Sequence, residues 1–299
     1  MSPPPRWMGW DETPISDVAR VSLTPVHFVK PEERVIVAML PLAKLDVGAV
    51  LVGKSDKEIT GLLTGYNCLL LAKIPGRFWQ KLYTVSADMI DWRVLSFQAG
   101  TGLGDVLRNM HNVGWGFVAV VEGDRFRYLV SVIDIGRFLE SVGALERFPT
   151  LSLGDLTNKV VASISVEQSV NELIDIMFRH RVRRILVKEN GKIITDRDII
   201  KYLLDEPQIH ELRENPEHLF SKPVKLLENY MDEPAIVNRE EDIASALRSL
   251  LESPAKAIVT PDHREIATPY DFTVKLWKQT RYKSIDRGGA SVEPSADKQ

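Results

Sequence analysis

The apolar positions of this chain repeat one pattern four times. A ten-residue block opens on a short, mostly apolar extended stretch and closes on an apolar residue: VHFVKPEERV from Val26, VLSFQAGTGL from Val94, VASISVEQSV from Val161 and PAIVNREEDI from Pro234. The closing residue starts a stripe at i, i+3, i+4 and i+7, which lies on one face of an α-helix. The stripes are Val35, Ala38, Met39, Leu42; Leu103, Val106, Leu107, Met110; Val170, Leu173, Ile174, Met177; and Ile243, Ala246, Leu247, Leu250. A short apolar run follows each helix: Ala49 to Val52, Phe117 to Val121, Ile185 to Val187, Ala257 to Val259. These runs are too short for helices and rich in β-branched residues, so they predict buried strands. Turns come next, at Gly53, Gly123, Asn190-Gly191 and Pro261-Asp262, of which Asn-Gly signals a two-residue hairpin. Second strands follow at Ile59 to Leu63, Tyr128 to Val130, Ile193 to Ile194 and Ile266 to Ala267.

Each second strand leads into a hydroxyl residue with Asp or Asn three positions on: Thr64 with Asn67, Ser131 with Asp134, Thr195 with Asp198, Thr268 with Asp271. A second helix should begin there. The predicted fold class is therefore α/β, a β-α-β-β-α unit repeated four times. A gap near Ser141 to Thr150 divides the chain into halves that open alike, at Pro14-Ile15-Ser16-Asp17-Val18 and Leu153-Gly154-Asp155-Leu156. One such unit cannot cover its own sheet, so units should pair through their sheets. The expected boundaries are an extension at 1–13, a first pair at 14–145 (units 14–80 and 81–145), a second pair at 150–280 (units 150–207 and 221–280) and a disordered tail at 287–299, rich in Gly, Ser, Pro and charge.

The hydroxyl motif has two readings. Ser and Thr are preferred helix N-caps, and an acid three residues later closes a capping box and meets the helix dipole. A helix N-terminus also offers free N–H groups and positive potential to a phosphate. There the cap hydroxyl can bond a ligand oxygen, and a carboxylate one turn in can accept from two vicinal hydroxyls, as on a ribose. A capping box normally uses Glu or Gln; this chain uses the shorter Asp three times and Asn once.

The four units resemble CBS domains, the cystathionine β-synthase type of regulatory module, from Pro14 to Gln279, with the third unit, Val161 to Leu204, the nearest match. The resemblance implies two pseudo-twofold CBS-pair modules whose clefts bind an adenosine ligand such as AMP, ADP, ATP or S-adenosylmethionine. It implies that Asp198, Asp271 and Asp134 hold ribose, accompanied by Thr195, Thr268 and Ser131. The first copy departs, with Asn67 beside Thr64. Val161 is counted with the ligand-binding residues. Arg183 and Arg184, near Arg181 and His180, stand where the family places phosphates, and Arg carries a planar fork of donors suited to them. The other reading is a solvated basic helix end. Lys256, Arg125 and Arg127 are weaker candidates.

The remaining sequence narrows the function. The 299 residues, 44% hydrophobic, allow one large core or two ordinary ones. Lys and Arg total 38 against 41 Asp and Glu, a net charge of −3, which speaks against a nucleic-acid binder. Cys68 is the only cysteine, which excludes an intramolecular disulfide and a multi-cysteine metal site and suits a reducing cytoplasm. No apolar run approaches the ~18 residues of a spanning helix, and Ser2 to Arg6 lacks the core of a signal peptide. No paired catalytic acids, nucleophile elbow or zinc spacing stands out. The expectation is a non-catalytic adenine-nucleotide sensor that needs no cofactor and signals to an unidentified protein, with a homodimer allowed. The alternatives are a ligand-free scaffold and an S-adenosylmethionine binder. Trp7 and Trp10 are expected to pack back onto a module.

Overall fold

The computed structural model describes residues 6–281 apart from Asp46 and Val160. The expected tail at 287–299 lies outside the described residues. After a short entry helix α1 (Ile15–Ala19), the first unit runs β1 (Phe28–Val29), α2 (Val35–Lys44), β2 (Val50–Ser55), β3 (Glu58–Leu63) and α3 (Gly65–Leu70). It adds α4 (Phe78–Thr84) and β4 (Trp92–Arg93). The second unit runs β5 (Ser96–Gln98), α5 (Leu103–Val113), β6 (Phe117–Glu122), β7 (Arg125–Ser131) and α6 (Val132–Ser141). Entry helix α7 (Leu153–Leu156) then leads to the third unit: β8 (Ser163–Ile164), α8 (Val170–His180), β9 (Arg184–Val187), β10 (Ile193–Thr195) and α9 (Asp196–Leu203). Linker helices α10 (Glu206–Glu214) and α11 (Pro216–Ser221) follow. The fourth unit has β11 (Ala235–Ile236), α12 (Ile243–Glu252), β12 (Ile258–Val259), β13 (Ile266–Ala267) and α13 (269–281).

In every unit the first strand pairs parallel with the second, and the second antiparallel with the third. The predicted β-α-β-β-α unit is thus the observed one. Three details differ. The first sheet gains β4, whose Trp92 and Arg93 pair with Leu62 and Gly61. The Asn190-Gly191 hairpin is wider than two residues: Val187 N–H donates to Lys192 O, so Lys188 to Gly191 form the loop, with Gly191 at φ 69°. In α13 the segment Asp271–Lys275 is π-helical, and the Thr273 hydroxyl there donates back to Pro269 O, a side-chain bond that competes with the regular ladder.

Every residue of the four predicted stripes is buried. The cores they build do not follow chain order. Sheets pair within each half: Ala49, Leu51 and Leu62 of the first unit meet Val94, Ala119 and Leu129 of the second, and Leu186 and Ile193 of the third meet Ala257 and Val259 of the fourth. Helices pair across halves. The stripe of α2 shares a core with that of α8, and the stripe of α5 shares one with that of α12. Trp7 and Trp10 pack on this second core, edge to face at 4.7 Å, and the Trp10 indole N–H donates to Thr280 Oγ1. The two halves also meet where the first and third motifs face each other. Gly65 of the first motif approaches the equivalent Asp196 of the third so closely that a Cβ on it would stand 2.9 Å from the Asp196 carboxylate.

Candidate functional site

All four motif hydroxyls sit where a helix begins, and the cap reading is realised in each. Ser131 and Thr195 are the last residues of β7 and β10 and also the N-caps of α6 and α9, so strand runs into helix without a loop. The side chain three residues on is buried in every copy. One of its oxygens accepts from both the backbone N–H and the hydroxyl of the cap: Asn67 from Thr64, Asp134 from Ser131, Asp198 from Thr195, Asp271 from Thr268. The copies differ in what meets the other polar atom.

The Asn67 amide N–H donates to the carbonyl of Ile90 at 3.0 Å. A carboxylate here would set oxygen against oxygen, which accounts for the amide in this copy. Asp134 Oδ1 accepts from the Leu23 N–H at 3.1 Å, and Oδ2 also takes the Thr24 hydroxyl, so the entry segment of the first unit covers the second motif. Asp271 Oδ1 accepts from the Asn158 side-chain amide at 2.9 Å. Asp198 Oδ1 meets no hydrogen-bond donor among the described residues; Lys201 Nζ stands 3.9 Å away. Burial raises the Asp198 pKa to about 6 and moves that of Asp271 the same way, against the hydrogen bonds from their caps. Val161 is half-buried against the paired sheets of the third and fourth units.

The basic cluster does not face one cleft. Arg183 turns to the centre of the molecule. Its Nε and Nη2 bond Asp196 Oδ2 at 3.0 and 2.9 Å, Nη2 reaches Gly48 O at 3.4 Å, and the guanidinium lies over the Phe117 ring at 5.9 Å. The same Asp196 oxygen accepts from the Tyr66 N–H at 2.6 Å. Arg183 therefore joins three units and is no solvated helix end. Arg184 stays in the second half, donating to Ala255 O at 3.3 Å, and burial together with Arg183 and Arg197 lowers its pKa to about 10. Arg181 and His180 are exposed, and no ion pair engages Arg181 among the described residues. The weaker candidates stand apart: Lys256, in the bend after α12, bonds Leu251 O of that helix, and Arg127 pairs with Glu122 on the hairpin that also carries exposed Arg125.

Arg181 and Arg183 instead border a cleft of about 450 Å³ at the first motif, within the range of small-molecule sites. Thr64 and Tyr66 line it from the first unit, Trp92 from the strand that follows, Trp115 and Phe117 from the second unit, and Phe178 from the third. Trp92 and Trp115 stack at 5.8 Å with planes 8° apart, and Tyr66 packs on Trp92 at 5.7 Å and on Phe178 at 4.6 Å. The aromatic lining was not read from the sequence, because its rings come from three units. The one local signal was Trp115 in a turn that carries arginines in the third unit. Among the described residues no group of three His, Cys, Asp or Glu side chains could hold a metal, and no helix is long and apolar enough to cross a membrane.

A family model described as CBS domain matches residues 153–205, the span of the third unit from α7 through α9. The third unit is thus a CBS domain. The fold of the chain as a whole recurs in solved structures. Protein MJ1225 from Methanocaldococcus jannaschii, described as a proposed archaeal homolog of g-AMPK, superposes with a TM-score of 0.73 at 14% identity, over 88% of this chain and 99% of that one. A conserved protein from Pyrococcus horikoshii gives 0.51 at 14% identity, over 77% and 91%. Among curated proteins none matches this chain.

Proposed function

We propose that this chain is a non-catalytic, cytoplasmic regulatory sensor that takes an adenine nucleotide, AMP, ADP or ATP, in the cleft at its first motif and passes the binding to a protein partner. The observation that carries the reading is the meeting of an aromatic slot with Arg181 and Arg183 from the opposite half. Aromatic faces stack a flat base, and guanidinium forks bind phosphate in paired geometry. The ligand would touch three units at once, so any difference in its affinity for two arrangements shifts the population between them. In this reading Asp198, with one oxygen that meets no hydrogen-bond donor among the described residues and faces the Lys201 ammonium at 3.9 Å, is the open ribose site of the second half, and Thr195, Thr268 and Asp271 line the rest of that half's clefts.

Calorimetric titration of the full chain with AMP, ADP, ATP and S-adenosylmethionine tests this. Saturable binding of at least one nucleotide is expected, and it should weaken with added salt because the phosphate contact is ionic. Silence from all four ligands would reject the sensor. The scaffold reading would then stand, and it is already favoured locally at Ser131 and Asp134, where Leu23 and Thr24 occupy both carboxylate oxygens.

A further inference from the structure

The first cleft lacks what a ribose-reading site needs. Vicinal hydroxyls are held by an acceptor with free lone pairs, best of all a carboxylate. At this motif the Asn67 oxygen already accepts twice from Thr64, and its amide is spent on Ile90 O. The Thr64 hydroxyl has given its proton to Asn67 and keeps lone pairs for one weak, neutral bond. The buried carboxylate Asp196 is engaged by the Tyr66 N–H and by two nitrogens of Arg183, and it does not line the cleft. The rest of the lining holds no carboxylate: it is apolar or glycine apart from the two guanidiniums and the aromatic side chains, whose polar atoms are the neutral Tyr66 hydroxyl and the indole N–H groups of Trp92 and Trp115. Arg181 supplies a cation that no described carboxylate neutralises.

We infer that this cleft recognises a nucleotide by its base and its phosphate and is blind to the ribose diol, so that 2′,3′-dideoxyadenosine monophosphate and AMP are equivalent ligands for it. The inference rests on the nucleotide reading of the cleft and narrows it to a ligand class: a flat ring joined to an anion, with the sugar as a spacer. A site that held the diol through a carboxylate would lose roughly ten-fold or more in affinity with the dideoxy compound, since bonds to charged groups are the strong ones.

The test is tryptophan fluorescence of the full chain, titrated with AMP, dideoxy-AMP and adenosine. The local signal is the part that vanishes in Trp115→Phe, with Trp92→Phe as the second marker should the first variant fail to fold. AMP and dideoxy-AMP are expected to agree within about three-fold, with adenosine at least about ten-fold weaker. Arg181→Gln should remove the difference between AMP and adenosine. A dideoxy-AMP at least about ten-fold weaker than AMP, with the AMP signal intact, overturns diol blindness and leaves nucleotide binding standing. Adenosine as tight as AMP overturns the phosphate half of the inference. If no compound changes the local signal, the cleft is not a nucleotide site, and the inference falls with the reading it rests on.

Discussion

Asn67 and its three Asp counterparts make the same pair of bonds to their caps and part company at one atom. For Asp198 that atom is a buried oxygen without a donor among the described residues, and burial has raised the group's pKa to about 6. The folded protein then holds this proton more tightly than the unfolded chain, whose Asp titrates near about 3.9. Between about pH 4 and 6 the native state binds more protons, so the group's contribution to stability falls as pH rises through that window and is level above it. The shift corresponds to about 3 kcal/mol across the window. Asp198→Asn, a side chain the first motif already uses, removes the titration. Urea unfolding from pH 4 to 7 should show the variant gaining on the parent up to about pH 6 and then holding a constant difference. A difference independent of pH would mean that Asp198 is not desolvated. Asp271 shifts in the same direction and remains in both proteins. The motif residues were legible in the sequence because a cap is a local matter of a hydroxyl and a neighbouring acid. The claims on their second atoms come from Ile90, Leu23 and Asn158, and no local rule connects those residues to the motifs.

The repeated elements were legible to within about three residues because burial imposes a period, whereas α4, β4, α10 and α11, which lie outside the repeat, were not. All sixteen stripe positions lie on buried helix faces, and each short apolar run became a strand. The π-helical stretch in α13 and the four-residue hairpin loop were not legible; the first depends on how Thr273 turns and the second on where Val187 finds its partner. Helix ends carry a further lesson. Helix α5 stops on Gly114 at φ 70°, the residue suited to a left-handed cap. Helix α8 stops at the matching place on Arg181 at φ 53°, a conformation that disfavours a side chain by about 1 kcal/mol. A residue kept in a costly conformation at the mouth of a cleft points to a use for its side chain. Arg181→Gly should therefore raise unfolding stability by about 1 kcal/mol while weakening AMP binding about ten-fold. Thermal melting and titration of one sample read both. A variant that melts lower than the parent would place Arg181 among the supports of the fold.

Across the whole molecule, sheets join sequence neighbours while helices join units one apart, and the two kinds of contact close a ring of four. The pattern of apolar positions shows which face of α2 is buried. It cannot show that the partner is α8, more than a hundred residues on, because any apolar helix face satisfies the same pattern. This is also why the aromatic cleft stayed hidden. Cutting the chain between residues 149 and 150 should leave each half with an exposed apolar helix stripe, since its partner stripe lies in the other half. Light scattering should find neither half as a monomer alone and a one-to-one complex when they are co-expressed. A single half that stays monomeric and unfolds cooperatively would show that the shared cores are dispensable. The near contact of Gly65 with Asp196 shows what joining the halves allows. Two free copies of an ancestral half-chain could close the same ring as a twofold homodimer, but equivalent positions at its axis would have to be identical, and two aspartates there would collide. A fused gene lifts that restriction: glycine on one side admits the acid on the other, and the two clefts are free to diverge into an aromatic slot and a carboxylate site.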